Sequence, residues 1–386
     1  MKRLGISLYP QHSTLEEMKR YVQLAHDNGF DRIFTCLMSL KQDEERQKLQ
    51  QINEFAQRLG FDISADIAPG VFEDLGLTYR DIGYLKEHYY LAALRLDMGF
   101  SGQEEALMSL DASNLKIELN ISNGTKYVDN ILSYQPNKEN IIGCHNFYPR
   151  RFTGLSRQHF LQTSQHFKAH NVRTAAMISS QHGQFGPWEQ TEHGLPTLEE
   201  HRHLPITVQA KDLWHMGLID DCIIGNMFAS EEELRALGQL NRNKLELRVV
   251  QSEDTSILEE TILYKEPHFN RGDVSEYVIR STQSRVKYKN GDFPVHDIRS
   301  LKTGDVTIDN NLDVRYKGEL QIVLKDIPNT GSSNVVARIV EEEQFFIDTY
   351  STMVNIWIYK VKKSEKEIES SISFSLWWSY IFRRQF

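Results

Sequence analysis

Along the first 230 residues, short apolar runs alternate with longer stretches in which apolar and charged positions recur at helical spacing. Eight runs have β character: "LGISLY" (4–9), "RIFTCLM" (32–38), "FDISADIA" (61–68), "ALRLDMG" (93–99), "LKIELNIS" (115–122), "IIGCHNF" (141–147), "RTAAMIS" (173–179) and "DCIIGN" (221–226). Between them lie amphipathic patterns with helix signals. "STLEEMKRYVQLAHDNG" opens on a capping-box spacing, Ser13 with Glu16, and closes at Gly29. "DEERQKLQQINEFAQRLG" also stops at glycine, and Ser230 followed by three glutamates starts the last helix. Strand followed by helix, eight times over, predicts an α/β fold of the TIM (β/α)8 barrel type. A doubly wound open sheet is the alternative, weakened because no GxGxxG follows the first run. The longest connection, 180–205, follows the seventh strand and carries Gly, His, Pro and Trp, as active-site loops of barrels do.

From about residue 245 the pattern changes to short alternating strands separated by glycine turns such as "KNGD", "KTGD" and "PNTGSSN". "KLELRVVQ", "EYVIRSTQ", "DVTIDN", "DVRYKGELQIVLKDI" and "NVVARIVEEEQFFI" all read as strands of a small antiparallel β domain. The expected organisation is a barrel over residues 1–240, a β domain over 245–350, and an atypical tail over 351–386.

Strand alternation turns the barrel into a site prediction, because successive side chains point to opposite faces. In "LKIELN" the apolar Leu115, Ile117 and Leu119 face the helices, so Lys116, Glu118 and Asn120 point inward. By the same rule Arg95 and Asp97 point inward from the fourth strand, and Ser64 and Asp66 from the third. Asp66, Asp97 and Glu118 are therefore expected at the carboxyl end of the barrel, followed by His145, Asn146, Tyr148, Arg150 and Arg151 after the sixth strand. Each has a plainer reading. Arg95 can neutralise Asp97 or Glu118 as a core ion pair, His145 can be a hydrogen-bonded structural histidine, and Tyr148 can be packing. Three inward carboxylates nevertheless point to chemistry, since burying unpaired charge is costly. Paired carboxylates cleave glycosidic bonds; Asp, Glu and His at strand ends can instead hold a divalent metal for sugar isomerisation. Apart from Lys116 no lysine points inward, which disfavours Schiff-base chemistry.

Composition narrows the partners. A formal charge of −9 and a pI near 5.9 argue against a nucleic-acid or anionic-membrane binder. No apolar stretch of about 18 residues is present, and "MKRLGISLYPQHS" is too short in apolar residues for a secretory leader, so a cytoplasmic protein is expected. Cys36, Cys144 and Cys222 are far apart in apolar runs and fit reduced core thiols rather than a zinc or disulfide pattern.

The motifs "GISLYP", "RIFTCLMS", "LRLDMGF", "IELNIS", "CHNFYPRRFTGLS", "HGLPTLEEHR" and "IIGN" resemble the bacterial 6-phospho-N-acetylmuramidases, glycoside hydrolase family 170, over about residues 3–348. The resemblance implies a barrel followed by a cyclophilin-like antiparallel β-barrel domain. It also implies hydrolysis of the β-1,4 bond of 6-phospho-N-acetylmuramyl-N-acetylglucosamine, a disaccharide of cell-wall turnover phosphorylated during uptake. No cofactor and no metal are expected. Glu118 is expected as the general acid, with Asp66 or Asp97 as its partner. Asn120, His145, Asn146 and Tyr148 are expected around the sugar, and Arg150 or Arg151 on an anionic group. In "HFNRGDVSEYVIRSTQSR" (268–285), Arg271 and Arg280 are expected as phosphate or carboxylate ligands, unless that segment is a solvated hairpin. A metal-dependent sugar-phosphate isomerase and a non-catalytic phospho-sugar-binding protein are the alternatives.

Overall fold

A computed structural model describes residues 1–40, 42–96, 100–188, 193–350 and 358–363, with 348–350 and 358–363 as backbone only. The chain divides into two compact units, Met1–Leu240 and the remainder from Asn241.

The first unit is a closed parallel barrel of eight strands in sequence order. They are β1 (Arg3–Leu8), β2 (Arg32–Cys36), β3 (Asp62–Ile67), β4 (Ala93–Leu96), β5 (Lys116–Asn120), β6 (Ile141–Cys144), β7 (Arg173–Ile178) and β8 (Asp221–Ile224). All eight coincide with the predicted runs. The strands are apolar on their helix-facing side because both faces are covered: Leu4, Ile6 and Leu8 are fully buried, and so are the interior-facing Ser7 and Glu118. Helical Phe160, Phe167 and Trp214 complete the packing around the sheet.

The first helix runs Leu15–Asp27, and its capping box is Thr14 with Glu17, one residue beyond the expected pair. The shift has a local cause. Pro10 starts a short 3-10 turn, Pro10–His12, whose extended C-cap is Ser13, so the next residue caps the helix. Adjacent glutamates at 16 and 17 make either register chemically possible. Gly29 follows this helix at φ 78°, a left-handed conformation that costs glycine little.

The second unit contains antiparallel strands β9 (Leu245–Gln251), β10 (Val278–Ser281), β11 (Asp305–Asp309), β12 (Leu320–Val323) and β13 (Ser333–Ile339). Their order is β10-β12-β11-β13-β9, and β14 (Ile358–Lys363) adds to β9 in parallel. Two sequence expectations need correction here, and one element lies outside them. The segment from Asp313 to Gly318 is turn rather than strand, with Gly318 at φ 82°. "EEEQFF" begins a helix, Glu341–Tyr350, because three glutamates in the first turn suit its dipole. A helix over Ile257–Lys265 was not anticipated, although Ser256 and Glu259 form a capping box that signals it. The rest of the tail, 351–357 and 364–386, lies outside the described residues.

Candidate active site

Six of the eight barrel strands begin on a charged residue: Arg3, Arg32, Asp62, Lys116, Arg173 and Asp221. Four of these converge at the amino end of the barrel. The Asp221 carboxylate accepts hydrogen bonds from Arg32 Nη1 at 2.8 Å, Arg173 Nε at 3.1 Å and Arg3 Nη2 at 3.3 Å. Burial alone would raise its pKa, but the surrounding guanidiniums, Arg32 foremost, hold it down at about 2. Arg32 spans to the next layer, where its Nη2 donates to Glu118 Oε2 at 2.6 Å. Room for Arg32 comes from Gly5, where a Cβ would stand 3.1 Å from the Arg32 Cβ.

Glu118 is therefore inward as predicted, yet it turns away from the carboxyl end. It has no exposed surface and pairs with an arginine at the first position of β2. Its second oxygen, Oε1, has no hydrogen-bond partner among the described residues. Asp66 and Arg95, paired in register on β3 and β4, form an ion pair through Asp66 Oδ1 and Arg95 Nη1. The other Arg95 amino group donates to Asn146 Oδ1. Arg95 thus pairs with Asp66, while Glu118 takes Arg32 as its partner. Asp97 lies outside the described residues.

Beyond β5, Asn120 Oδ1 accepts the Ser122 N–H at 2.8 Å, and Ser122 Oγ accepts the Asn146 N–H at 2.8 Å. His145 departs from its expected role. It is fully buried between β6 and the Arg157–Ala169 helix, stacked on Phe160, with Nε2 2.9 Å from Ser164 Oγ and Nδ1 3.3 Å from Ser122 Oγ. Burial pushes its pKa down to about 3, so it is a neutral wall residue with both ring nitrogens engaged. Tyr148 is half-buried, and burial raises its phenol pKa against the opposing Ser122 hydrogen bond.

The loop after β6 is held in place by the segment after β7. Tyr148 N–H donates to Pro196 O at 3.0 Å, Leu155 N–H to Thr197 O at 2.9 Å, and Thr197 Oγ1 to Asn146 O at 2.9 Å. Arg202 clasps both segments: it donates to Tyr148 O at 3.0 Å, His193 O at 2.9 Å and Arg150 O at 3.2 Å, and pairs with Glu199 at 2.6 Å. Glu199 in turn accepts the Phe152 and Gly154 N–H groups, each at 2.8 Å. The Arg202 hydrogen bond leads the causes that hold the Glu199 carboxyl at about 2. Neither residue was singled out from sequence, although both lie in the "HGLPTLEEHR" motif.

Arg150 and Arg151 sit on the exposed tip of this clasped loop, and neither side chain has an ion pair among the described residues. Arg151 lines a polar cleft of about 420 Å³ with Ser180, Gln184, His193, His203 and Asn226. The cleft sits where the β7 and β8 loops meet, the usual phosphate position of such barrels. Asn226 is fixed there by Ser180 N–H at 2.8 Å and by its own donation to Gly183 O at 3.0 Å. In the second unit, Arg271 is bidentate to Asp273 at 2.7 Å, and Arg280 pairs with buried Glu319 at 2.9 Å. Both are committed to carboxylates of their own unit.

Residues 4–239 match the model of the 6-phospho-N-acetylmuramidase N-terminal domain, and residues 245–355 match that of its C-terminal domain. The crystal structure of an uncharacterized B. cereus protein is 46% identical with a TM-score of 0.86, covering 94% of this chain and 99% of that one. A conserved Enterococcus faecalis protein of unknown function is 26% identical with a TM-score of 0.69, covering 96% and 98%. A comparison with curated proteins returned no match.

Two outcomes are expected from this geometry. Arg32→Met leaves Glu118 buried without a partner and should cost about 3–5 kcal/mol in urea unfolding; adding Glu118→Leu should recover most of that loss. Glu199 has a folded pKa of about 2 against an ordinary 4.5, so its clasp is complete above about pH 4.5 and fades as pH falls towards 2. Limited proteolysis across that window should show cleavage within 148–156 rising as pH drops, and Glu199→Gln should show that cleavage already at neutral pH.

Proposed function

The chain belongs to the 6-phospho-N-acetylmuramidase family of glycoside hydrolases, and we propose that it cleaves the β-1,4 bond of 6-phospho-N-acetylmuramyl-N-acetylglucosamine within the cytoplasm, as a step of cell-wall recycling. A sugar phosphorylated on uptake exists inside the cell, which supports that location. No helix among the described residues is long and apolar enough to cross a membrane.

The observation that carries the reading is the division of labour among arginines around the barrel. Arg32 and Arg95 are bonded to interior carboxylates, whereas Arg150 and Arg151 stand exposed, Arg151 lining a polar cleft. The substrate bears two anionic groups, a 6-phosphate and a lactyl carboxylate. Guanidinium forks suit both. Arg150 and Arg151 are assigned that clamp. Arg271 and Arg280 would have to exchange Asp273 and Glu319 for a ligand anion, so they are secondary candidates.

For the chemistry, an ionised carboxylate suits the positive charge that develops at the anomeric carbon, and a neighbouring guanidinium keeps a carboxylate ionised. Asp66, fixed by Arg95, takes that part. The proton donor to the leaving oxygen has to come within about 2.6–3.2 Å of it. Glu118 retains an uncommitted Oε1 but has no exposed surface, so it serves as acid only if substrate binding opens a path to it; Asp97 is the other candidate. Asn120 and Asn146 are assigned to sugar hydroxyls or the acetamido group, and Tyr148 to the ring face. His145 is assigned to the wall that orients Ser122.

The test is release of free N-acetylglucosamine from the 6-phosphorylated disaccharide. Wild type should release it, and the unphosphorylated disaccharide should be inert. Asp66→Asn and Glu118→Gln, scored separately, should each lower kcat by about 10²–10⁴-fold if the residue takes part in the chemistry. Arg151→Ala should raise KM by about tenfold or more, from loss of a charge-assisted pair of about 1.5–3 kcal/mol. A folded wild type that releases no sugar would sink the hydrolase reading, and an unchanged KM in Arg151→Ala would move the anion clamp elsewhere.

A further inference from the structure

On the outer face of the barrel, away from the residues described so far, three metal-ligating side chains meet. His166 lies in the last turn of the Arg157–Ala169 helix and His170 caps it. Residues four apart share one helical face, so both imidazoles project to the same side. Facing them is Asp129 on the Tyr127–Ser133 helix. His166 Nε2 stands 2.9 Å from Asp129 Oδ2 and His170 Nε2 stands 3.1 Å from Oδ1. The two rings are perpendicular, with centroids 5.4 Å apart. Among the described residues this is the one group of three or more His, Cys, Asp or Glu side chains whose ligand atoms all lie within 4.8 Å of one another.

We propose that Asp129, His166 and His170 form a binding site for a borderline divalent transition ion, with zinc as the fitting case, which staples the helix after β5 to the helix after β6. The chemistry of the donors sets the ion class. Two imidazole nitrogens and one carboxylate exclude the all-oxygen shell of magnesium or calcium and match three-ligand zinc sites. The geometry needs little adjustment. Bonds of about 2.0–2.2 Å in a tetrahedron separate ligand atoms by about 3.3–3.6 Å, so the 2.9 and 3.1 Å contacts, one to each carboxylate oxygen, open by a few tenths of an ångström, and the three ligand atoms, now within 4.8 Å of one another, settle to that spacing by side-chain rotation. In the unloaded cluster an imidazole N–H can point at each aspartate oxygen. On loading, each neutral ring changes tautomer, its proton leaving Nε2 and Nδ1 taking one up by exchange with water, and Nε2 then offers its lone pair to the ion, so no net proton is lost.

The remaining coordination position has somewhere to open. A cleft of about 380 Å³ reaches His166 and is lined by Asn123, Lys126, His159 and Gln162, leaving space for water or a small anion as the fourth ligand. The same helix anchors the wall of the barrel: His159 Nε2 lies 2.8 Å from Ser122 O, and Ser164 meets His145. An ion at Asp129, His166 and His170 would therefore stiffen the helix that backs the β5 and β6 ends, without touching the proposed chemistry.

The test uses untagged, full-length protein stripped with a chelator and then titrated with zinc chloride by calorimetry and thermal unfolding, with cobalt(II) as a spectroscopic stand-in. The expected result is one ion per chain, a rise in Tm with zinc, and a visible cobalt spectrum of low-coordinate, nitrogen- and oxygen-bound metal. His166→Ala and Asp129→Asn should each weaken binding by more than the roughly 100-fold that loss of an outer-sphere partner costs. Asp129→Asn preserves shape and exchanges one acceptor oxygen for an amide donor, which the facing imidazole can meet with its other tautomer, so it reports on the ligand even if a histidine variant unfolds. Absence of saturable binding to wild type, or binding that survives unchanged in Asp129→Asn and His166→Ala, would overturn the site. Neither result depends on hydrolysis, so the proposed activity stands or falls separately.

Discussion

The barrel depends on one buried ionic layer at its amino end. Asp221, at the head of β8, gathers guanidiniums from the heads of β1, β2 and β7, and Arg32 carries the network up to Glu118. Such a layer is weak as a source of stability, because taking the ions out of water costs nearly as much as their attraction returns. Its value is in specificity. A parallel sheet of apolar strands can slip by two residues and still present hydrophobic faces to its helices. With Arg3, Arg32, Arg173 and Asp221 each at the first position of a strand, any slip leaves a buried charge alone. Gly5 belongs to the same constraint, since a side chain there would occupy the space beside Arg32.

The carboxyl end is built differently. There the ordering falls to loops, which need their own fastening, and it comes from polar contacts between two segments about 50 residues apart. Arg202 binds carbonyls of both, while Glu199 takes amide N–H groups from the turn bearing Arg150 and Arg151. Arg202 is suited because its rigid planar fork spreads five donors over acceptors in both segments, where a lysine offers three from a single point.

The sequence made the barrel legible because its evidence is periodic: eight apolar runs, amphipathic helices and glycine stops all agree on one topology. In the second unit, propensity misled where strand and helix share residues. "EEEQFF" looks like a continuation of a strand until the acidic first turn is weighed. At the site, alternation correctly turned Glu118, Asp66 and Arg95 inward, but alternation gives the side of a strand and not the height. Glu118 faces the barrel axis yet is drawn down by Arg32, whose role is not legible locally because a charged residue at a strand start usually stays in solvent. His145 shows the converse. It follows the polar end of β6 but is turned outward, into the Arg157–Ala169 helix, where Phe160 and Ser164 receive it. Nothing local to "CHNFYP" distinguishes those directions; the answer lies in a helix that begins 12 residues later.

Charge accounting connects the two ends of the barrel. Arg3, Arg32, Arg95, Arg173 and Arg202 are all bonded to carboxylates of the fold. Each is therefore a poor ligand for a substrate anion, since recruiting it would strip a buried or half-buried carboxylate of its partner. Arg150 and Arg151 carry no such obligation among the described residues. An anionic substrate would find its uncommitted guanidiniums on the turn that Glu199 and Arg202 fasten. On the proposed reading, affinity for the phosphorylated sugar is thus tied to loop order, because a frayed turn would have to be ordered at the cost of binding energy. The motifs "CHNFYPRRFTGLS" and "HGLPTLEEHR", one supplying the arginines and the other the clasp, are then one device divided between two loops.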